Sequence, residues 1–443
     1  MKNIIFGGIL ILSIFNLSSC KNEVEKPQAA HNEKVIDRSL PGYYDLDFSK
    51  IFTKWESYSL EDDKKVEARL SNYFDKFWEE KNLSGGLLVA RGDNILFEKY
   101  IGFANIGNQK PVTEETPMHI ASVSKIITSL AVLKLVEAGK LDLDQKVNSV
   151  LPSFPYEEIT IRNLLSHRSG LPNYGYLAED KRYPLWDKSK FMTNEDVLNL
   201  FSEHKPALLF PPDTHFAYSN SNFAILALIV EKITNNPFPT AIKKMIFDPL
   251  EMDHSFVFQK QDSGKVALSY YNNGKPFPFD YLDYVYGDKN VYSTPDDLYR
   301  LSKAMFAPNF LREDLLQQMF TPYSNEHEGV KNYGLGMRMM IFPNGKKLTY
   351  HNGWWHGSNA VFVHLLDEKV TIIAIGNKFS NAVYSAFRTA SFFGNYPLKL
   401  EKESTEHDDL WNGETTVPKS VSKNSKQLNH IGSNKNHIKK PKA

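Results

Sequence analysis

The sequence contains almost no cysteine: Cys20 is the only one among 443 residues. A lone cysteine cannot form an internal disulfide, so the fold cannot depend on one. An excess of either charge is also missing, because 52 Lys and Arg residues balance 52 Asp and Glu residues. This balance gives no indication of binding to nucleic acid or to another polyanion. There are no internal repeats. What the chain does have is 42% apolar residues, enough for a core, and the length of one large domain or two modest ones.

The first twenty residues have the pattern of an export signal. A short basic segment (1–3) precedes an apolar run (4–15) that matches the core of a signal peptide and is too short to span a bilayer comfortably. Residues 17–20 resemble a bacterial lipobox. The resemblance implies a lipoprotein signal peptide over residues 1–19, lipidation of Cys20, and anchoring in the bacterial cell envelope outside the cytoplasm, with the leaflet left open. A plain secretory signal with an incidental cysteine is the alternative.

The rest of the chain divides into a linker, a folded domain and a tail. Residues 20–60 are polar and irregular, which predicts a linker from the lipidated Cys20 to the domain. Residues 61–398 carry the periodic apolar patterns of helices and strands. From Thr416 onward there are seven lysines and no acidic residue. We therefore expect residues 399–443 to form a disordered basic tail.

Strand patterns lie near both ends of the folded domain, over residues 87–100 and 347–375, with helical patterns between them. An amphipathic helix is predicted over residues 61–81 and an aromatic one over 382–393. This order favours one antiparallel sheet built from both ends of the domain and flanked by helices. The region of roughly 140–340 would be a largely helical insertion. The predicted fold class is therefore α+β.

The segment around Ser122 carries the strongest sign of chemistry. Apolar side chains recur at helical spacing over residues 126–136, which places Ser122 and Lys125 in the first turn of a buried helix. A spacing of three puts both side chains on one face, about 5–6 Å apart at Cβ. A serine hydroxyl becomes a nucleophile when a base takes its proton, and a buried lysine can serve as that base. The alternative is an ordinary helix start with Ser122 as the N-cap.

Two later segments carry groups that would complete a hydrolase site. Tyr218 and Asn220 lie in a loop just before an apolar helix. A nearby cation stabilises a tyrosine anion, and an asparagine amide both donates and accepts hydrogen bonds. His351 and Gly353 lie at the end of a predicted strand, where glycine allows a substrate backbone to approach closely.

Three short elements thus follow one another along the chain: Ser-x-x-Lys from Ser122, Tyr-x-Asn from Tyr218 and His-x-Gly from His351. Together they resemble the active-site elements of the serine β-lactamase and penicillin-binding protein family. The Tyr-x-Asn form is similar to the class C β-lactamase branch, which also contains D,D-carboxypeptidases, D-aminopeptidases and esterases. The resemblance covers roughly residues 61–395 and includes four supporting stretches, at residues 164–171, 216–220, 292–298 and 333–336.

The resemblance implies a catalytic role for each matching residue. Ser122 would be the acylated nucleophile, Lys125 and Tyr218 would share the role of general base, and Tyr218 would protonate the leaving group. The backbone amides of Ser122 and Trp354 would form the oxyanion hole. The fold implied is that of β-lactamases and transpeptidases, with the site between the sheet and the helical part. Neither a metal nor a cofactor is implied.

Substrate binding would fall to Asn220, which would hold the acyl amide, and to His351 and Gly353 at the edge of the pocket. In the family the third element often begins with lysine. A histidine there is only partly charged near neutral pH and binds a carboxylate less firmly, which favours a peptidase or an esterase over a β-lactamase. His167 is interpreted as structural. His351 and His356 are not expected to form a zinc site, because no further ligand accompanies them at a usual spacing.

The sequence therefore predicts an envelope-anchored serine hydrolase that cleaves peptide, amide or ester substrates through an acyl-enzyme on Ser122. The expected partners are a small-molecule or peptide substrate, with peptidoglycan stem peptides as candidates, and the membrane through the lipid anchor, but not nucleic acid. A β-lactamase is the alternative among enzymes, and a non-catalytic penicillin-recognising scaffold is the alternative outside them. The aromatic segment 268–286 is either a wall of the pocket or a packed loop.

Overall fold

The computed structural model describes residues 60–307 and 309–400. Within them the β-strands, in chain order, are β1 (Gly85–Arg91), β2 (Asn94–Ile101), β3 (Phe103–Asn105), β4 (Lys110–Pro111), β5 (Met118–His119), β6 (Phe256–Val257), β7 (Val291–Ser293), β8 (Lys331–Tyr333), β9 (Arg338–Ile341), β10 (Lys347–Trp355), β11 (Ser358–Leu365) and β12 (Val370–Gly376). β1, β11 and β12 are buried along their whole length. Their runs of Val, Ile, Leu and Ala suit strands that are covered on both faces.

Seven of these strands form one antiparallel sheet in the order β2-β1-β12-β11-β10-β9-β8. β1 pairs with β12 from Gly85 opposite Gly376 to Arg91 opposite Val370, so the beginning and the end of the domain meet in the sheet. Two smaller sheets have the orders β3-β4 and β5-β7-β6. The predicted antiparallel sheet built from both ends of the domain is confirmed.

The α-helices of the described residues are α1 (Leu60–Phe74), α2 (Ser124–Glu137), α3 (Val147–Val150), α4 (Ile161–Leu165), α5 (Tyr174–Leu177), α6 (Asn194–His204), α7 (Asn220–Thr234), α8 (Phe238–Ile242), α9 (Pro295–Phe306) and α10 (Glu313–Met319). Threonine side chains cap α4, α6 and α9 by accepting a backbone N–H of the first turn. Short π-helical turns, Asp75–Glu79 and Lys243–Phe247, extend α1 and α8.

Helices cover both faces of the large sheet. On one face α1 packs with a 3₁₀-helix, Asn381–Phe392, around a core that includes Phe74, Trp78 and Phe387. The other face carries the larger core, in which α2 packs against α7. Every residue of α2 from Ser124 to Leu135 is buried. A helix without a polar face is stable only in an interior, so the start of α2 is held firmly between the sheet and the helices.

The sheet resumes earlier than its sequence pattern predicted. Strands were expected again from residue 347, after a helical insertion of roughly 140–340, but β8 and β9 already belong to the sheet. They have three and four residues, too few to show an alternating pattern. The helix predicted over residues 382–393 is present as the 3₁₀-helix.

The expected signal peptide (1–19), the lipidated Cys20, nearly all of the linker (20–60) and the basic tail from residue 401 lie outside the described residues. Among residues 60–307 and 309–400, none of the helices has the length and apolar character needed to cross a bilayer.

Candidate active site

Ser122 lies in a 3₁₀ turn, Ala121–Val123, immediately before α2. The sequence predicted that Ser122 lies in the first turn of α2. In the structure it lies in the turn just before that helix. Ala121 has a positive φ of 48°, and its N–H donates to Nδ1 of the buried His119 at 3.0 Å. The Ser122 side chain is partly exposed, whereas its neighbours in the turn are buried. The turn therefore exposes the Ser122 hydroxyl, while the burial of its neighbours holds the backbone in place.

Lys125 is fully buried and its ammonium group contacts three acceptors. Nζ donates to Ser122 Oγ at 3.0 Å, to Asn220 Oδ1 at 2.9 Å and to the backbone carbonyl of Asp288 at 2.7 Å. A lysine ammonium has three N–H donors and no acceptor, so each donor has a partner here. This is the geometry of a charged lysine that orients its neighbours.

Tyr218 approaches the nucleophile from a different segment of the chain. Its hydroxyl lies 3.0 Å from Ser122 Oγ. The Nζ of Lys125 lies 5.0 Å from the centre of the Tyr218 ring, and the Cζ of Arg338 lies 4.7 Å from it. Two positive charges next to the phenol stabilise negative charge that develops on its oxygen.

Asn220, the first residue of α7, is oriented by Lys125. Because an ammonium can only donate, the oxygen of the Asn220 amide must face Lys125. The NH₂ group then points the other way and can donate to the carbonyl oxygen of a bound amide or ester. The structure thus brings together Ser122, Lys125, Tyr218 and Asn220, which the sequence had singled out.

Gly353 is required by the nucleophile turn rather than by a substrate backbone alone. A Cβ atom at this position would lie 2.3 Å from the carbonyl oxygen of Ile120 and 3.1 Å from the amide nitrogen of Ser122. Strand β10 therefore passes directly against the turn, and the amides of Ser122 and Trp354 belong to adjoining backbone segments. The Trp354 side chain is 50% exposed and donates from its indole N–H to the His356 carbonyl at 3.1 Å.

His351 does not fit the role that was expected of its side chain. It is 1% exposed, Nδ1 lies 2.8 Å from the Asn352 carbonyl, and Nε2 lies 3.2 Å from the Tyr333 hydroxyl. Burial, followed by the charges of Arg338 and Lys125, lowers the pKa of His351 well below its ordinary value. The expectation that His351 is partly charged near neutral pH is wrong. Its side chain lies behind the pocket surface, which does not suit direct binding of a substrate.

Comparison with known proteins agrees with this geometry. Residues 70–391 match the model of the Beta-lactamase family. The chain belongs to this family. Penicillin-binding protein 4* of Bacillus subtilis (strain 168) is 28% identical over 333 residues, which are 71% of this chain and 72% of the relative. Esterase EstB of Burkholderia gladioli is 30% identical over 290 residues, 56% of this chain and 72% of the esterase.

The fold agrees with that of solved family members. The crystal structure of a penicillin-binding protein from Bacillus halodurans matches with a TM-score of 0.63 and 28% identity, over 72% of this chain and 98% of that one. The predicted β-lactamase and transpeptidase fold is confirmed, and the protein is a serine hydrolase of the beta-lactamase family.

In this beta-lactamase family member His167 supports Tyr218. Its ring lies 4.2 Å from the Tyr218 ring between centroids, and Nδ1 accepts from the Ser219 N–H at 3.2 Å and lies 2.9 Å from the Asn222 amide nitrogen. Burial lowers the pKa of His167 well below its ordinary value, so the ring is neutral. These contacts agree with the structural interpretation of His167. Gly170 has a positive φ of 74°, and a Cβ there would lie 2.1 Å from the Phe210 carbonyl oxygen.

Three groups near the site were not anticipated from the sequence. Asp288 contributes a backbone carbonyl and Arg338 a guanidinium, and neither residue belongs to a recognisable motif. The third is a cluster in which oxygens of Asp280 and Asp283 and a ring nitrogen of His356 lie within 4.8 Å of one another, a set that could hold a metal ion. Both carboxylates come from the aromatic segment 268–286, far from His356 in sequence. The expectation that the reaction needs no metal stays a prediction.

Proposed function

We propose that the protein hydrolyses small peptide, amide or ester substrates through an acyl-enzyme on Ser122. The observation that supports this most is the convergence on one hydroxyl: Lys125 Nζ and Tyr218 OH each lie 3.0 Å from Ser122 Oγ. A serine is activated by a group within hydrogen-bond distance that can take its proton.

Tyr218 is the proposed proton acceptor. The three donors of Lys125 are all used, so the lysine acts as a fixed positive charge beside the Tyr218 ring. A neighbouring cation favours the tyrosine anion, which is the form that can take a proton. The Ser122 proton passes to Tyr218 as Oγ attacks the substrate carbonyl carbon. The oxyanion that forms is stabilised by the backbone amides of Ser122 and Trp354.

Collapse of this intermediate breaks the bond to the leaving group, which takes the proton from Tyr218, and leaves the acyl group on Ser122. Tyr218 then accepts a proton from water as the water attacks the ester. The second oxyanion collapses, the acid product leaves, and the proton returns to Ser122. Two successive half-reactions on one nucleophile predict ping-pong kinetics.

The substrate class follows from what the pocket offers. Asn220 presents an amide NH₂ to the acyl group, whereas the buried, neutral His351 provides no charge for a substrate carboxylate. Similarity to a penicillin-binding protein and to an esterase supports peptides, amides and esters as substrates. Peptidoglycan stem peptides are candidates. A β-lactamase is the second candidate, and a non-catalytic scaffold is disfavoured because Ser122, Lys125, Tyr218 and Asn220 are all in place.

Intact-mass spectrometry of the purified protein tests this proposal. The protein is exposed to a penicillin and, separately, to an activated acyl ester, beside the Ser122→Ala variant. An adduct that the variant lacks supports acylation of Ser122. A persistent penicilloyl adduct indicates a penicillin-binding peptidase, rapid penicillin turnover a β-lactamase, and turnover of the ester alone an esterase. If both reagents give no adduct and no turnover, the result contradicts the proposal and favours the scaffold.

We further propose that Cys20 carries the lipid that anchors the protein outside the cytoplasm. The support is the basic, apolar and lipobox-like order of residues 1–20. Mass spectrometry of the N-terminal peptide from the membrane fraction should show a lipidated Cys20, and Cys20→Ser should abolish the modification. An unmodified N-terminal peptide in the membrane fraction contradicts the anchor.

A further inference from the structure

Asp283 is a buried residue, 2% exposed, whose carboxylate contacts the two side chains that follow Trp354 in the chain. Its Oδ1 accepts from the indole N–H of Trp355 at 2.6 Å and lies 2.9 Å from Nε2 of His356, which is also 3.0 Å from Oδ2. The carboxylate therefore binds both side chains.

These two side chains fix the end of β10. Trp355 and His356 directly follow Trp354, whose amide is the second donor of the proposed oxyanion hole. Trp355 is also the last residue of β10. The bond from its Nε1 to Asp283 therefore limits how far the backbone of Trp354 can move. We call this set of contacts the strand arm.

A second set of contacts runs from Asp283 to the nucleophile turn. The Asp283 carbonyl accepts from the side-chain amide of Asn290 at 2.5 Å, and Asn290 Oδ1 lies 3.1 Å from Nε2 of His119. Nδ1 of His119 accepts from the N–H of Ala121 at 3.0 Å. We call this set the turn arm. It ends on the residue that precedes Ser122 and holds that residue at a positive φ.

One tautomer of His119 satisfies every hydrogen bond of the turn arm. Nδ1 of His119 must be an acceptor because a backbone N–H points at it, so the proton sits on Nε2 and is donated to Asn290. Burial lowers the pKa of His119 to about 4, which keeps the ring neutral over the physiological range. Each bond therefore has one donor and one acceptor without a change of protonation.

We infer that Asp283 is a positioning residue that sets the separation of the Ser122 and Trp354 amides through these two arms. The inference rests on the acyl-transfer function proposed above. Oxyanion donors act only when both lie close to hydrogen-bond distance from the same oxygen, and loss of one donor costs about 10²–10³ in kcat in a serine hydrolase. Asp283 holds the strand arm through its carboxylate and the turn arm through its backbone carbonyl, and it thus affects the transition state without touching the substrate.

Asp283→Asn is the main test, because it preserves the volume and the backbone carbonyl but turns a double acceptor into a group that also donates. We expect kcat for an activated ester to fall by about 10- to 100-fold with KM changed by less than about threefold. Affinity for a boronic acid that mimics the tetrahedral intermediate should fall by the same factor as kcat/KM. The burst of the acylation reaction, which counts active sites, should keep its wild-type amplitude.

The matched control is Asp297→Asn. Asp297 is also 2% exposed and accepts from the Ser255 hydroxyl and the His254 N–H, in a network that does not reach Asp283. Its replacement should lower the melting temperature but leave kcat per titrated site unchanged. If Asp283→Asn fails to fold, Trp355→Phe removes only one bond of the strand arm and should show the same pattern with a smaller loss of kcat.

A reduced burst amplitude with unchanged kcat per titrated site in Asp283→Asn would overturn the inference, because it describes a purely structural residue. So would a boronate affinity equal to that of the wild type. One tightly bound divalent ion per chain, lost in Asp283→Asn, would assign the carboxylate to a metal instead. A wild-type protein that the ester does not acylate would contradict the proposed function itself, which separates the two failures.

Discussion

The hydroxyl of Tyr218 lies 3.0 Å from the Oγ of Ser122, although the two residues are 96 positions apart in the sequence. Lys125 Nζ also donates to Ser122 Oγ, but its other two donors are bonded to Asn220 Oδ1 and to the Asp288 carbonyl. The two neighbours of the nucleophile are therefore not equivalent. The Tyr218 oxygen can both donate and accept a proton, whereas an ammonium group can only donate.

Tyr218→Phe should lower kcat for an activated ester by about 10²- to 10⁴-fold, because it removes the group that exchanges the proton with Ser122. The melting temperature should change little, since the ring remains. Steady-state kinetics and a thermal melt measure the two quantities. Tyr333→Phe is the control: its hydroxyl contacts His351 and not Ser122, so the loss of kcat should be much smaller. Equal kcat values for the two variants would remove Tyr218 from the mechanism.

Lys125→Met should abolish acylation, with a fall in kcat/KM of at least about 10³-fold, because it removes the charge beside Ser122 and Tyr218. Lys134→Met is a matched control on the same helix. Lys134 is also buried and donates to Glu137 and to the Phe310 carbonyl at 2.6 Å, away from the nucleophile. Its replacement should change stability and leave kcat per folded molecule intact. Intact-mass spectrometry measures the acylation rate. If Lys125→Met is acylated at the wild-type rate, the proposed role of the lysine is wrong.

Gly353→Ala should impair catalysis because its Cβ would lie 2.3 Å from the Ile120 carbonyl oxygen and push β10 away from the nucleophile turn. Since small misplacements of reacting groups cost up to about 10²-fold, we expect kcat to fall by at least tenfold. Gly264→Ala serves as the control, because no atom lies within 4 Å of its added Cβ. The kcat for an activated ester is measured for both variants. A Gly353→Ala enzyme with wild-type kcat would show that catalysis does not need the close contact between β10 and the nucleophile turn.

The catalytic groups were predictable because each lies in a short motif with fixed spacing. Ser122 and Lys125 share a helix start, and Tyr218 and Asn220 flank another, so local spacing already sets their relative positions. The partners of these groups were not predictable. Asp288 accepts from Lys125 through its backbone carbonyl, 163 positions away in the sequence, so the type of its side chain gives no indication of this role. Asp283 meets Trp355 across 72 positions, and only the fold brings them together.

His351 shows the opposite difficulty. Its position in the third motif was correct, but its charge state depends on burial. His351 lies in the middle of β10, and its burial follows from neighbouring segments such as β8 with Tyr333. The short strands β8 and β9 were missed for a related reason. Their three and four residues are held by pairing, β9 with β10 and β8 with β9, and not by their own pattern.

His364 is fully buried among the aromatic rings of Phe306, Phe320 and Phe362. Its ring centre lies 3.9 Å from that of Phe306, and neither ring nitrogen has a hydrogen-bond partner among the described residues. Burial lowers the pKa of His364 to about 3. The folded protein therefore keeps this ring neutral down to about pH 3, whereas the unfolded chain binds a proton near pH 6.5.

Between these two values the unfolded state binds more protons, so the free energy of unfolding must fall as the pH is lowered. One such histidine contributes a loss of about 2 kcal/mol between pH 7 and pH 5. His364→Phe removes this titration and should flatten the pH dependence by that amount, as measured by urea unfolding at the two pH values. Replacing the exposed His327 by Phe should leave the slope unchanged. A slope in His364→Phe as steep as that of the wild type would mean that His364 is solvated in the folded protein.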